Sequence, residues 1–414
     1  LPDEHPDFHT LLYGKIGCDG YLFYLVMHAK TNTFIHQLIM ESDIYRQLQQ
    51  HLDIMPVPFP STESGVELQL LKQLFTEKEA SIALNLSALP ESIDKIHKRF
   101  EKNAISKPEL KEILDGLFRK GAIMAIRKPK AGVHYSKLPL AIGMFEFQVN
   151  RVTRDLAESF YRYEDEAFAE ALLKQKVKQM RTIPVNVEVH PEFPIGQYDS
   201  ARKMIHESDG PFAVMNCVCR QAKDTMNEPC KQTAIRETCM TIGEAAKHMK
   251  IKGLARYVSR EEVLEILARA EKAGMVLQPE NTREPSFICC CCGCCCGVLT
   301  AAKKFERPAE FMETNYQARI DPNLCTGCED CVALCQMDAL VPQNDMTAVD
   351  TGRCIGCGVC ITACGSGALS LVPKQEPALP YKNKNEMYRK MMLERYGVIG
   401  TLKLMGKALL GQKI

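Results

Sequence analysis

Apolar positions fall at helical spacing through much of the first half of the chain. Val66, Leu68, Leu70, Leu71, Leu74 and Phe75 form one apolar face. Thr76 and Glu79 have capping-box spacing and predict the start of a second helix. Ile93, Ile96 and Phe100 make a stripe on a third, from about Glu91 to Phe100. Ser106, Pro108 and Glu109 open a fourth, which carries Leu110, Ile113, Leu114, Leu117 and Phe118 and stops at Gly121. Ala122–Ile126 and Val133–Leu138, separated by Arg127–Gly132, then predict a two-stranded hairpin. Residues 150–180 read as one or two helices burying Leu156, Phe160, Phe168, Leu172 and Leu173. Val185, Val187 and Val189 alternate within Pro184–Pro194, a strand pattern. Ser259 and Glu262 form a second capping box before the helix Glu261–Ala273, with Gly274 as its stop. Residues 1–60 have little periodicity. Their histidines (His5, His9, His28, His36, His51) show no ligand spacing, and Pro56, Pro58 and Pro60 predict a stiff extended linker.

Helices followed by a two-stranded wing resemble the winged helix-turn-helix fold. The candidate recognition helix begins with Glu109, Lys111, Glu112 and Asp115, a poor surface for phosphates. Residues 66–137 hold 14 basic and 9 acidic side chains, so the segment is only mildly positive. DNA is therefore not the expected partner.

Charge over the whole chain agrees. The 414 residues carry 52 basic and 51 acidic side chains, a net +1, which excludes a strongly basic nucleic-acid binder. No apolar run reaches the roughly 18–20 residues that span a bilayer; Tyr21–Ala29 is the longest. The cysteines change the picture most. There are 20, of which 19 follow residue 216, and seven stand within the eight positions Cys289 to Cys296. Neighbouring cysteines pair poorly with each other. Dense thiols at short spacing point to metal or iron–sulfur ligands in a reducing compartment.

The clearest pattern is an internal repeat. Cys325, Cys328, Cys331 and Cys335 have x2, x2, x3 spacing, and Cys354, Cys357, Cys360 and Cys364 repeat it 29 residues later. Three thiolates at this spacing wrap three corners of a cubane, and the fourth reaches the other cluster. Cys325, Cys328, Cys331 and Cys364 are thus expected on one [4Fe–4S] cluster, and Cys354, Cys357, Cys360 and Cys335 on a second. Residues 318–373 resemble the bacterial two-cluster ferredoxins, with one departure. That family has proline after the last cysteine of each run, where this chain has Gln336 and Gly365.

A second constellation comprises Cys217-x-Cys219-Arg220, Cys230, Cys239 and the run from Cys289 to Cys296. Adjacent thiolates on an extended chain point apart, so they suit different clusters. Cys217, Cys219, Cys230, Cys239, Cys289, Cys291, Cys292, Cys294, Cys295 and Cys296 are the candidate ligands, a subset serving one or two additional iron–sulfur clusters. Arg220 is a candidate to balance their charge. The combination resembles a family of multi-cluster proteins of anaerobes, from about Tyr45 onward. That resemblance implies a multi-cluster redox protein and indicates no substrate.

Residues 382–414 carry 8 basic and 2 acidic side chains, with Met387, Met391, Leu402, Met405 and Leu409 at helical spacing. A basic amphipathic helix of this kind suits a partner groove, the protein's own surface or, peripherally, an anionic membrane. No phosphate loop or dinucleotide fingerprint is present, so no flavin or nicotinamide site is expected.

The expected fold is α+β and multidomain. It comprises an N-terminal extension (1–60), a winged-helix-like domain (61–150), a helical and Cys-rich iron–sulfur domain (151–316), a two-cluster ferredoxin domain (317–373) and a basic amphipathic tail (374–414). The expected function is single-electron relay between redox partner proteins, as part of a larger oxidoreductase complex rather than as a stand-alone enzyme, in the cytoplasm or peripheral to a membrane. Two alternatives stand beside it: an iron–sulfur redox-sensing transcription regulator, and a reductase subunit whose cluster binds substrate.

Overall fold

A computed structural model describes residues 43–185 and 198–414; the expected strand over 184–194 falls, from residue 186 on, outside the described residues. The N-terminal part opens with helix α1 (Ile44–Asp53), capped by the Asp43 carboxylate, which accepts from Tyr45 N–H at 2.8 Å. Helices α2 (Val66–Leu74) and α3 (Glu77–Ala83) follow, and both hydrogen bonds of the Thr76/Glu79 capping box are formed. Strand β1 (Glu91–Ser92) precedes a short α4 (Ile93–His97), and α5 spans Lys107–Arg119 behind its Ser106 cap. Strands β2 (Met124–Lys128) and β3 (Gly132–Ser136) form the hairpin, and β1 adds a third strand on the β3 side. Tyr135 donates to the Asp115 carboxylate at 2.6 Å, which ties the hairpin to α5.

Two expectations differ from what is found. The third helix is five residues long because Glu91 and Ser92 are drawn into the sheet opposite Tyr135 and His134. The proline segment is no free linker. Val57 and Phe59 are buried, Gln49 donates to the Phe59 carbonyl at 2.6 Å, and Asp53 accepts from Phe59 N–H at 2.7 Å. The acidic start of α5 is charge-paired, Glu109 with Lys78 at 2.8 Å and Asp115 with Lys111 at 2.5 Å.

Helices α6 (Arg154–Tyr163) and α7 (Ala169–Leu173) flank a wider turn over Glu164–Phe168. After α8 (Ala201–Glu207), the cysteine-rich region builds a five-stranded antiparallel sheet. Its strands are β4 (Phe212–Asn216), β5 (Glu237–Ile242), β6 (Arg256–Val258), β7 (Val276–Pro279) and β8 (Phe287–Cys291), in the order β6-β4-β5-β8-β7. Helices α9 (Val218–Thr225), α10 (Glu244–Ile251) and α11 (Arg260–Lys272) connect them. Val263, Ile266, Leu267 and Ala270 of α11 pack with Met240, Leu277 and Ile288 of the sheet. Helix α12 (Gly297–Lys303) leads out of the cysteine run.

The last unit is pseudo-symmetric. Strand β9 (Tyr316–Ile320) pairs antiparallel with β12 (Leu369–Pro373), and β10 (Leu340–Gln343) with β11 (Met346–Val349); short helices α13 (Asp330–Leu334) and α14 (Val359–Ala363) follow the two cysteine loops. Asp321 N–H donates to the Ala368 carbonyl and Asp350 N–H to that of Ala339, both at 2.8 Å, so each repeat closes on the other. The chain ends in α15 (Lys384–Leu409), broken at Gly397, whose φ is 62°. Met387 and Met391 of its first half enter the N-terminal core. No helix among the described residues is long and apolar enough to cross a membrane.

Candidate functional site

Strand pleating sorts the cysteine run. Side chains alternate across a strand, so Cys289 and Cys291 leave β8 on one face and Cys290 on the other. Cys290 joins Ile288, Leu277 and Met240 in the core beneath α11, where burial pushes its thiol above the usual range. Beyond β8, Cys292 to Cys296 turn sharply, with Cys296 N–H donating to the Cys292 carbonyl at 3.1 Å.

The remaining ten candidates divide into two sets. Six cysteines, Cys217, Cys219, Cys239, Cys289, Cys291 and Cys296, line a cavity of about 790 Å³. Cys239 is opposite Cys289 on the neighbouring strand. Cys239, Cys289, Cys291 and Cys296 neighbour one another, and Cys217 neighbours Cys219 at the start of α9. The Cys219 contact, aided by Arg220, pulls the Cys217 thiol down to about 6 against the effect of burial. The far wall includes Phe145, Phe160 and Phe168, and Met387 and Tyr388 of α15 close one side.

Several carboxyl groups absent from the candidate set also line this cavity, Glu146 and Glu164 among them. Removal from water raises Glu146 to about 7 and Glu164 to about 8. Glu146 accepts from Gly143 N–H at 2.6 Å. Glu164 had a sequence signal, since it stands four residues from both Phe160 and Phe168 on an apolar stripe. Glu146, between Phe145 and Phe147, had none.

The second set is Cys230, Cys292, Cys294 and Cys295, whose four sulfurs all lie within 4.8 Å of one another. Arg220 stands between the sets and is fully buried. It donates to Thr238 Oγ1 at 2.7 Å and to the Cys290 carbonyl at 2.6 Å, and its Nε has no protein partner. No carboxylate pairs with it among the described residues. Burial would lower its pKa, but the sulfurs of Cys217, Cys292, Cys291 and Cys230 outweigh this and raise it. A buried guanidinium needs an anion, and thiolates are what surround this one. Gln278 also has an unpartnered buried Nε2, with its Oε1 4.0 Å from the Cys296 sulfur. Orphaned donors beside a thiol array fit a group rich in sulfur acceptors.

In the last unit burial raises the Cys331, Cys357 and Cys360 thiols, and other cysteines of the two runs lie close enough to add to it. Backbone donors reach sulfur at Cys354, from Ala318 N–H at 3.3 Å, and at Cys335, from Ala339 N–H at 3.2 Å. Gly356 has φ 64°, and a Cβ there would lie 2.1 Å from the Tyr316 carbonyl oxygen, so only glycine fits this loop. The donor set and its N–H···S bonds suit two cubanes. All 19 described cysteines are free thiols.

Gln336, the departure from the ferredoxin pattern, joins the two regions. Its side-chain carbonyl accepts from Gly293 N–H at 2.7 Å, and its backbone carbonyl lies where a Cβ on Gly293 would be, 2.1 Å away. Proline has no such acceptor.

Residues 317–365 match the 4Fe-4S dicluster domain family. With its further thiol clusters, the chain is an iron–sulfur, metal-binding protein with an electron-transport domain. A search of curated proteins found no match, and neither did a search of solved structures.

Proposed function

We propose that this protein relays single electrons between redox partners through two [4Fe–4S] clusters in residues 317–373 and a further iron–sulfur cluster held by the six cavity thiols. The observation that carries the reading is the docking of Gln336 on Gly293, one residue from Cys335 on one side and from Cys292 and Cys294 on the other. Cys325, Cys328, Cys331 and Cys364 would hold one ferredoxin cluster, and Cys354, Cys357, Cys360 and Cys335 the other. The clusters supply the redox chemistry. The chain contributes ligands, N–H···S bonds that modulate potential, and the Arg220 charge. Cys217, Cys219, Cys239, Cys289, Cys291 and Cys296 are the ligand pool of the cavity site. Iron and acid-labile sulfide of anaerobically purified protein test the reading; fewer than about eight irons per chain would sink it.

The apolar second half of α15 supports partner docking. Ile399, Leu402 and Leu409 are 72%, 61% and 88% exposed, beside Lys403 and Lys407. This is the surface we assign to a larger oxidoreductase complex, with peripheral membrane association as the competing occupant. The density of free thiols suits the cytoplasm.

The cavity favours a second reading, a reductase subunit whose cluster binds substrate. A reductase needs room for substrate beside its cluster and a proton source, and the cavity of about 790 Å³ with Glu146 and Glu164 would supply both. Carbon monoxide or cyanide, added to the reduced protein, probes for an open iron. An altered cluster spectrum supports the reductase; an unchanged one leaves the relay alone.

A further inference from the structure

We propose that Cys230, Cys292, Cys294 and Cys295 hold one tetrahedral metal ion, zinc or a lone iron, and not an iron–sulfur cluster. The contacts Cys230–Cys292, Cys230–Cys294 and Cys294–Cys295 are each 3.6 Å between sulfurs. Four thiolates about 2.3 Å from one ion stand about 3.8 Å apart along the tetrahedron edges. In a cubane each ligand caps a different iron from outside, with inorganic sulfide between, so the ligand sulfurs are spread farther apart. The chain has its own control. Among the described residues these four alone form a group of metal-ligand atoms this close, and the eight ferredoxin cysteines form none.

Local structure explains how the site is made. Three ligands come from the turn after β8, where Cys295 and Cys296 N–H both point to the Cys292 carbonyl. The fourth, Cys230, comes from the loop between α9 and β5. Four thiolates on a divalent ion leave a net charge of about −2. Arg220, buried and with no carboxylate partner among the described residues, faces that charge, while Arg236, near Cys230, is already paired with Asp224 at 2.8 Å. Fixing this turn also fixes where β8 ends, and so presents Cys291 and Cys296 to the cavity.

The test is metal and acid-labile sulfide analysis of the full chain, purified anaerobically, against Cys230→Ser. The expected result is loss of one metal equivalent with sulfide unchanged. A fall in zinc identifies zinc; a fall in iron, with loss of a high-spin ferric signal on oxidation, identifies a lone iron. Loss of iron and sulfide together, or no loss of metal, overturns the proposal. If the variant does not fold, X-ray absorption of the wild-type protein decides. Zinc bound by four sulfurs with no metal neighbour, or an iron fraction of that kind beside the clusters, supports the site; only metal–metal scattering from clusters refutes it. The electron-relay reading stands or falls on the sulfide and iron of residues 317–373, so the two failures are separable.

Discussion

At the residue scale, buried charge makes the sharpest demands. His51 is packed in the N-terminal core with Nε2 2.8 Å from the Leu86 carbonyl; burial, then the nearby Lys137, lowers its pKa to about 3. Its unfolded value is about 6.5. The folded state therefore favours the neutral ring, and stability present above about pH 6.5 is lost as pH falls toward 3, at up to about 1.4 kcal/mol per unit. Denaturant unfolding across this range should show the loss, and His51→Gln, which keeps a donor without titrating, should flatten it. An equal slope in both proteins would refute the assignment. Arg220 makes the opposite demand. Arg220→Leu should destabilise by about 3–5 kcal/mol, as when one partner of a buried pair is removed, and should lower metal content. Arg220→Lys should retain more metal because it keeps the charge. Normal metal in the leucine variant would mean the guanidinium is not the counter-ion. The spacing of both cysteine runs was legible in sequence, and residues 317–365 match the dicluster domain family. The sorting of Cys289 to Cys296 was not legible, because register decides which sulfur faces which way and sequence alone does not set register.

At the element scale, caps and stops read well. Ser106, Thr76 and Ser259 each accept from the backbone N–H three residues on, and the helices they open lie within a residue of expectation. These signals are local hydrogen bonds and need no tertiary context. The segment at Pro56–Pro60 misled because proline reports stiffness and not burial; Gln49 and Asp53 of α1 draw it inward. Helix α15 has two fates that its periodicity did not separate. Before Gly397 it packs, and Arg395 donates to the Asp53 carbonyl at 2.7 Å; after it, the apolar side chains face outward. Replacing Ile399, Leu402 and Leu409 with glutamate should slow electron delivery to the physiological partner severalfold, with iron content unchanged. Full activity in this variant at low salt would show that the exposed stripe does not dock a partner.

At the scale of the molecule, the cavity was not visible in sequence because many distant segments bound it, among them the turn at Phe145, helix α6, the sheet and α15. The ferredoxin-like unit was visible as a repeat of cysteine spacing 29 residues apart, where residues 317–365 match the dicluster domain family; its strands were not foreseen. The interface between these regions was marked only as an irregularity at position 336. Gln336→Pro should leave the spectrum of the two ferredoxin clusters intact, because no ligand is touched, while slowing electron exchange between them and the cavity site. Unchanged exchange, measured by freeze-quenched spectroscopy after rapid reduction, would make the contact merely structural.

The Gln336–Gly293 hydrogen bond also bears on how such a molecule is assembled over evolutionary time. Ferredoxin units are interchangeable parts when they meet their hosts only through surface charge. Here one position inside the cysteine repeat bonds the neighbouring region, and any Cβ at Gly293 would collide with the main-chain carbonyl of residue 336. A generic unit bearing proline at position 336 would fold and bind its metals, yet fit this socket poorly. The two halves thus meet through one side-chain acceptor at Gln336 and one position, Gly293, where no Cβ fits whatever residue stands opposite.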